Sequence, residues 1–340
     1  MQSPTRDRPA SERWQQIDPR NLRQPAALIY NPNAGQKLGL ETNSGGSEEV
    51  QAALRNEGIA FDPQPTERAG HATELARRAA SEGRELVIAA GGDGTANEVA
   101  HGLANSDTVL GLMPLGSIMN VARTLWIPRD LSGAARTLAE GKVLAMDMGR
   151  IGDRYFLEAA GVGLDAGLFG HFERLDSGAH PLRVLRSAWR FLRRLGNPRI
   201  QIDFDGYRLR TRAPMVSIAN GPYVGAAYAI APNARIDDGL LDVVVFRHTS
   251  IPRLVVHLAL IAGGRPLPPP SQARTMRVAE LQVSSPRRTL PVHADGQPIG
   301  VLPVRFEVAA AALRVIVGPP DETGIRPWEV VGPVQPGEQA

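Results

Sequence analysis

Three glycines surround one aspartate in residues 86–100, which read LVIAAGGDGTANEVA. An apolar run leads into Gly91-Gly92-Asp93-Gly94 and then directly into a helical pattern that opens near Thr95. Glycines at such a turn let main-chain N–H groups approach an anion closely, and a helix N-terminus adds partial positive charge, so the segment suits a phosphate chain. Asp93 can orient a hydroxyl or Mg²⁺, and Thr95 can cap the helix or meet a phosphate oxygen. The same tetrapeptide also fits an ordinary strand-to-helix turn with an Asx motif and a cap.

Two further clusters share this design. Asn31-Pro32-Asn33-Ala34-Gly35 ends an apolar run at Tyr30, and Pro114-Leu115-Gly116-Ser117 ends another at Met113. Ligands of open parallel sheets bind outside the carboxyl ends of the strands, so three such turns on one edge point to a nucleotide cleft. Other phosphate signatures fail. Asn97 stands where G-x-G-x-x-G needs its last glycine, and neither lysine of the chain, Lys37 or Lys142, sits in a Gly-Lys-Ser/Thr sequence. Kinase signatures such as H-R-D and V-A-I-K are absent too.

The elements that must carry these turns follow from pattern. Short apolar runs at Ala26–Tyr30, Leu86–Ala90 and Val109–Met113 alternate with helical stretches at Glu48–Glu57, His71–Glu82, Thr95–Asn105 and Leu131–Glu140. That order predicts an α/β domain with an open parallel sheet. After Val143 the texture changes to period-two alternation, as at Tyr155–Ala159, Arg199–Phe204, Pro214–Ala219, Leu241–Phe246, Met276–Val283 and Val304–Val317, which predicts a mainly antiparallel β domain. Asp205-Gly206 reads as a two-residue hairpin turn. Helical stretches at Pro181–Leu195 and Ile251–Ile261 interrupt the strands. The expected organisation is a flexible segment 1–24, a nucleotide-binding domain 25–145, a β-rich substrate domain 146–320 and a tail 321–340.

Composition narrows the classes. The 340 residues are 43% hydrophobic, and 38 basic against 35 acidic side chains leave a formal charge of +3, which gives no footprint for nucleic acid. With only two lysines, thirty-six of the 38 bases are arginine. The absence of cysteine excludes disulfides, thiolate metal sites and a thiol nucleophile. No apolar run reaches the roughly 20 residues of a membrane span, and no signal-peptide pattern opens the chain, so a cytoplasmic protein is expected.

The run Asn31-Pro32-x-x-Gly35, Gly91-Gly92-Asp93-Gly94-Thr95-x-Asn97-Glu98 and Pro114-Leu115-Gly116-Ser117 resembles, in order and spacing, the diacylglycerol kinase catalytic family, which includes bacterial lipid kinases, sphingosine kinases and ceramide kinases. The likeness continues through Asp147-x-Gly149, Gly161-Val-Gly163-Leu-Asp165, Ala219-Asn220-Gly221, the loop Asp237–Asp242 and Asp295-Gly296-Gln297. The resemblance implies an NAD-kinase- or phosphofructokinase-like first domain, a cleft for ATP and Mg²⁺, and transfer to a lipid hydroxyl. It assigns ATP contacts to Asn31, Thr66, Gly91, Gly92, Asp93, Gly94, Thr95, Asn97 and Ser117. It assigns a structural Mg²⁺ to Asp238 with the carbonyls of Arg235 and Leu240, linked through water to Asp147; the same residues also suit a plain β-turn. A loose phosphoryl-transfer transition state needs positioning and charge neutralisation more than covalent help.

Two positions depart from the family pattern. Gln297 stands where the family carries glutamate as candidate base, and an amide accepts no proton. Asp295, with Asp93 as a second candidate, is the expected substitute, leaving Gln297 to orient the acceptor. Met119-Asn120 stands where the family has Asn-Asp or Asn-Ala. His293, two residues before Asp295, is close enough in sequence to influence its protonation. On Pro181–Leu195, Arg183, Arg186, Arg190, Arg193 and Arg194 share an arc of about 100°, beside an apolar face of Leu182, Leu185, Trp189 and Leu192. Such a helix can rest on anionic lipid or pack its apolar face on the β domain. ATP and a lipid at the inner membrane surface are the expected partners, with a homodimer as a candidate assembly. A soluble-substrate kinase of NAD-kinase type and a non-catalytic relative that lost its base are the alternatives.

Overall fold

The structure, a computed structural model, describes residues 14–32, 34, 36–37, 40–41, 46–116, 119–164, 186, 196–224, 229–247, 249–262, 267–269, 271–287 and 289–319. The first half alternates strand and helix: β1 (Ala26–Tyr30), α1 (Ser47–Asn56), β2 (Phe61–Pro65), α2 (His71–Ser81), β3 (Leu86–Gly91), α3 (Asp93–Leu103), β4 (Val109–Pro114), α4 (Asn120–Thr124) and α5 (Leu131–Glu140). β3 and β4 are buried along their whole length, as continuous apolar runs covered by helices on both faces must be. α2 buries Ala72, Leu75, Ala76 and Ala79, and α3 buries Ala96, Val99, Ala100 and Leu103. Both sets follow the i, i+3, i+4, i+7 spacing of one helical face. A Cβ on Gly102 would lie 2.6 Å from the carbonyl oxygen of Thr73, so this glycine permits the close approach of α3 to α2.

The second half is strands: β5 (Lys142–Ile151), β6 (Arg154–Phe156), β7 (Ala159–Gly163), β8 (Arg199–Phe204), β9 (Tyr207–Arg212), β10 (Met215–Ala219), β11 (Leu241–Phe246), then α6 (Ile251–Ala262), β12 (Ala273–Val278), β13 (Glu280–Ser284), β14 (Pro291–Ala294), β15 (Gln297–Val301) and β16 (Val304–Val317). One antiparallel sheet runs β12-β11-β10-β7-β14-β15. The other runs β9-β8-β13-β16-β4-β3-β1-β2 and is parallel from β16 through β2. The long strand β16 therefore leaves the β domain and completes the sheet of the α/β domain, with β5 antiparallel on it.

The expected α/β and antiparallel β halves are present, but the division at residue 145 falls inside β5 and separates no two sheets. The core divides at a sharper point: Phe156 packs in the second hydrophobic cluster and Leu157 in the first. β2 escaped the sequence reading because its five residues, FDPQP, contain two prolines. A parallel edge strand tolerates them. α3 begins two residues before the expected Thr95. The arginine-bearing stretch Pro181–Leu195 lies outside the described residues, apart from the exposed Arg186.

Candidate active site

β2, β1, β3 and β4 are adjacent and parallel, so their carboxyl ends share one edge of the sheet. Asn31 follows β1 and donates its main-chain N–H to Ala90 O (3.2 Å); Thr66 follows β2 and donates to Tyr30 O (2.8 Å). Gly91 and Gly92 end β3 and cap α3, and Leu115 after β4 donates to Gly91 O at 2.9 Å. Asn31, Thr66, Gly91, Gly92, Asp93 and Gly94 are thus brought to one edge. Ser117 lies outside the described residues.

Packing dictates the glycines here. A Cβ on Gly91 would fall 2.6 Å from Thr95 Cβ, and one on Gly116 would fall 2.9 Å from the Cα of Gly92. The turns after β3 and β4 therefore touch backbone to backbone. Gly94, by contrast, faces open space. Gly94, at the first turn of α3, is thus the glycine of this edge with room for a close approach to its main chain. The Asn97 side-chain oxygen is buried with no hydrogen-bond partner among the described residues. Glu98, the last residue of that motif, has a different duty: its carboxylate accepts from the N–H groups of Gly70 (2.9 Å) and Ala72 (3.2 Å) and so caps α2.

Behind this edge three carboxyl groups converge. Asp93 accepts from Val121 N at 3.2 Å and also from the amides of Asn120 and Met119, tying the start of α3 to the start of α4. Burial raises its pKa and these amides oppose the rise. Asp295 is held harder. Its Oδ2 accepts from Leu157 N (2.7 Å), and its Oδ1 from Glu158 N (2.9 Å) and Ala159 N (3.0 Å). Burial pushes it up to about 6 against the pull of those three amides and of the nearby His293. His293 is itself buried, and its Nδ1 accepts from Gly296 N.

Glu158 is the third, and its Oε2 accepts from Asn120 Nδ2 at 2.7 Å. Burial first, then the charges of Asp93 and Asp295, drive its pKa well above the carboxylate range, with the Asn120 hydrogen bond opposing. Its carbonyl accepts from Asn220 N (2.9 Å) and Gly221 N (3.1 Å), while the buried Asn220 side chain donates to Asp147 O and Leu157 O, each at 3.0 Å. Sequence reasoning missed Glu158. It stands inside the run Tyr155–Ala159, which reads as an alternating strand. Gln297, two residues past Asp295, opens β15 and is exposed.

The loop that the family resemblance assigns to Mg²⁺ lies elsewhere. Asp147 is buried and accepts from Gly239 N (2.6 Å) and from Ala311 N (2.7 Å), fixing the loop against the bulge of β16. Asp238 accepts from Leu240 N at 3.1 Å and forms an ion pair with Arg277, whose Nε also lies 3.7 Å from Asp242. Burial pushes Asp242 up to about 7. A guanidinium thus sits on the Asp238 carboxylate in this structure, while the carbonyls of Arg235 and Leu240, the other groups the resemblance assigns to Mg²⁺, are not part of that ion pair. Among the described residues no three His, Asp or Glu side chains form a metal cage.

The class defined by this geometry is a two-domain α/β and β protein with glycine turns along one sheet edge and a half-buried acidic cluster where the two cores meet. The family model for the diacylglycerol kinase catalytic domain matches residues 25–151, and that for a YegS C-terminal NAD kinase beta sandwich-like domain matches 159–317. A diacylglycerol kinase of Staphylococcus carnosus is 26% identical over 292 residues, covering 84% of this chain and 92% of its own, and one of Staphylococcus aureus is 27% identical with 84% and 90% covered. A crystal structure of a diacylglycerol kinase from Bacillus anthracis superposes with a TM-score of 0.68 at 23% identity, over 87% of this chain and 97% of that one. The chain belongs to the diacylglycerol kinase catalytic family and is a lipid kinase.

Proposed function

We propose that the protein transfers the γ-phosphoryl group of ATP to a hydroxyl of a membrane lipid, with a diacylglycerol-like acceptor first among candidates. The carrying observation is the shared edge at which Asn31, Thr66 and two abutting glycine turns meet within a lipid kinase fold. In this reading Asn31, Thr66, Gly91–Asn97 and Ser117 hold the nucleotide, main-chain amides grip its phosphates, and no P-loop lysine takes part. Mg²⁺ enters bound to the nucleotide and supplies charge neutralisation. Asp93 keeps the two turns in register by clamping the first amides of α4 to the first turn of α3.

No helix among the described residues is long and apolar enough to cross a bilayer, so a lipid acceptor is reached from the membrane surface. The test is labelled Mg-ATP with diacylglycerol, phosphatidylglycerol and sphingosine in mixed micelles, and NAD in solution. Label in a phosphorylated lipid is the expected result; label in NAD alone, or none with nucleotide bound, overturns it. Sedimentation with anionic vesicles checks the surface role: replacing the arginines of 181–195 with glutamine is expected to release the protein.

A further inference from the structure

We propose that Glu158 is the catalytic base of this lipid kinase, accepting the proton of the lipid hydroxyl in place of a glutamate at position 297. The proposal rests on the function argued above and deepens it. Three observations carry it.

First, the motif residues are organised around Glu158, although it belongs to none of the motifs. Asp295 binds its N–H, Asn220 and Gly221 bind its carbonyl, and Asn120 binds its side chain. Four residues from three separate segments fix one carboxyl group by its backbone on both sides and by one of its own oxygens. Second, the competing carboxylates are spent. Asp93 and Asp295 each accept three main-chain N–H groups, which makes them clamps between chain segments. Glu158 accepts one side-chain amide through Oε2, which leaves Oε1 for an acceptor hydroxyl. Third, its place is right. Asn120, its partner, begins α4 just beyond the Gly116 turn, and Asp93, whose charge it senses, begins α3 just beyond the Gly91 turn. The carboxyl therefore stands at the helix ends that open from both phosphate turns.

The step balances simply. The acceptor O–H proton passes to Glu158 as the lipid oxygen bonds to the γ-phosphorus, the bond from that phosphorus to the β,γ-bridging oxygen breaks, and ADP leaves. Glu158 then returns its proton to solvent. The groups that face it are Asp93, Asp295 with His293 beyond, and Asn120; the two carboxylates favour its holding a proton. The base must therefore be deprotonated before turnover, and the acid limb of the kcat profile should lie above the ordinary carboxylate range.

The experiment compares the whole protein with E158Q, E158D and D295N, using Mg-ATP and diacylglycerol micelles. E158Q is expected to lower kcat about 10²–10⁴-fold and to erase the acid limb, with Mg-ATP affinity by calorimetry held within about threefold. E158D should recover part of the rate and displace the limb, which a merely structural role would not do. E158Q with near-normal kcat and an unchanged limb overturns the assignment. A limb lost in D295N but kept in E158Q moves the base to Asp295. A wild-type protein that binds Mg-ATP yet phosphorylates no lipid overturns the function itself, and the assignment falls with it.

Discussion

The chain turns twice on Asp-Gly with almost the same backbone: φ is +46° and +78° at Asp205–Gly206, and +45° and +80° at Asp295–Gly296. Both join neighbouring antiparallel strands, β8 to β9 and β14 to β15. Positive φ at both central residues is the hairpin geometry that matches strand twist, and Asp-Gly meets it at low cost. There the likeness ends. Asp205 is exposed, whereas Asp295 hands its carboxylate to three amides of the segment where the two cores meet. The local signal makes the turn in both cases. What the aspartate does afterwards depends on the strand beside it: β14 pairs with β7 and so carries its turn over residues 157–159.

Removing each carboxylate while keeping the turn should separate the two most widely. Glycine adopts both φ values freely, so D205G is expected to change stability by no more than about 0.5 kcal/mol. D295G leaves three buried N–H groups without their acceptor and should cost about 3 kcal/mol or more. Urea unfolding of the two variants measures this directly. Equal losses would show that the carboxylate at 295 does no more than shape its turn.

The pH dependence of stability sharpens the same contrast. Asp295 has its folded pKa raised from 3.8 to about 6, so the folded state binds the proton more tightly than the unfolded chain. Its stabilising share is complete below about pH 4 and is lost as pH rises through about 6, with a slope of at most about 1.4 kcal/mol per pH unit. D295N carries no such proton. The difference in unfolding free energy between wild type and D295N should therefore shift across that window and be flat above it; a constant difference from pH 4 to 7 would contradict the burial of this carboxyl.

Much of the scaffold was legible because period carries it: β1, β3, β4, α2, α5 and the Asp205–Gly206 turn arise from patterns a few residues long. What escaped depends on contacts distant in sequence. β16 reads as one more alternating strand, and only its parallel pairing with β4 shows that it belongs to the other domain's sheet. Asp295 is marked by its motif, but the three amides its carboxylate accepts from are not, since they lie more than 130 positions away. Glu158 is harder still, a single acidic residue in an apolar alternation, and only the convergence of Asn120, Asn220 and Asp295 on it marks it out. At Asp238 the local pattern suits a cation, and the ion pair with Arg277 of β12, 39 residues away, is a contact that no local pattern shows.

The residue that follows each turn offers the smallest effect and the finest test. Tyr207 after the first turn is 71% exposed, and Gln297 after the second is exposed as well. Both residues open the outermost strand of a sheet, β9 and β15, and the residue that follows each is exposed as well. A glutamate written into position 297 inherits that exposure. Q297E should therefore change kcat with diacylglycerol by less than about threefold and leave the acid limb of the pH profile where Glu158 sets it. Were position 297 the seat of proton transfer, restoring its carboxylate would instead raise the rate by about 10²-fold or more and bring a second, lower limb into the profile. Steady-state kinetics of Q297E and of Q297E combined with E158Q decides the matter: full rescue of the double variant would place the base after the turn, and its absence leaves the base before β7, where the two cores join.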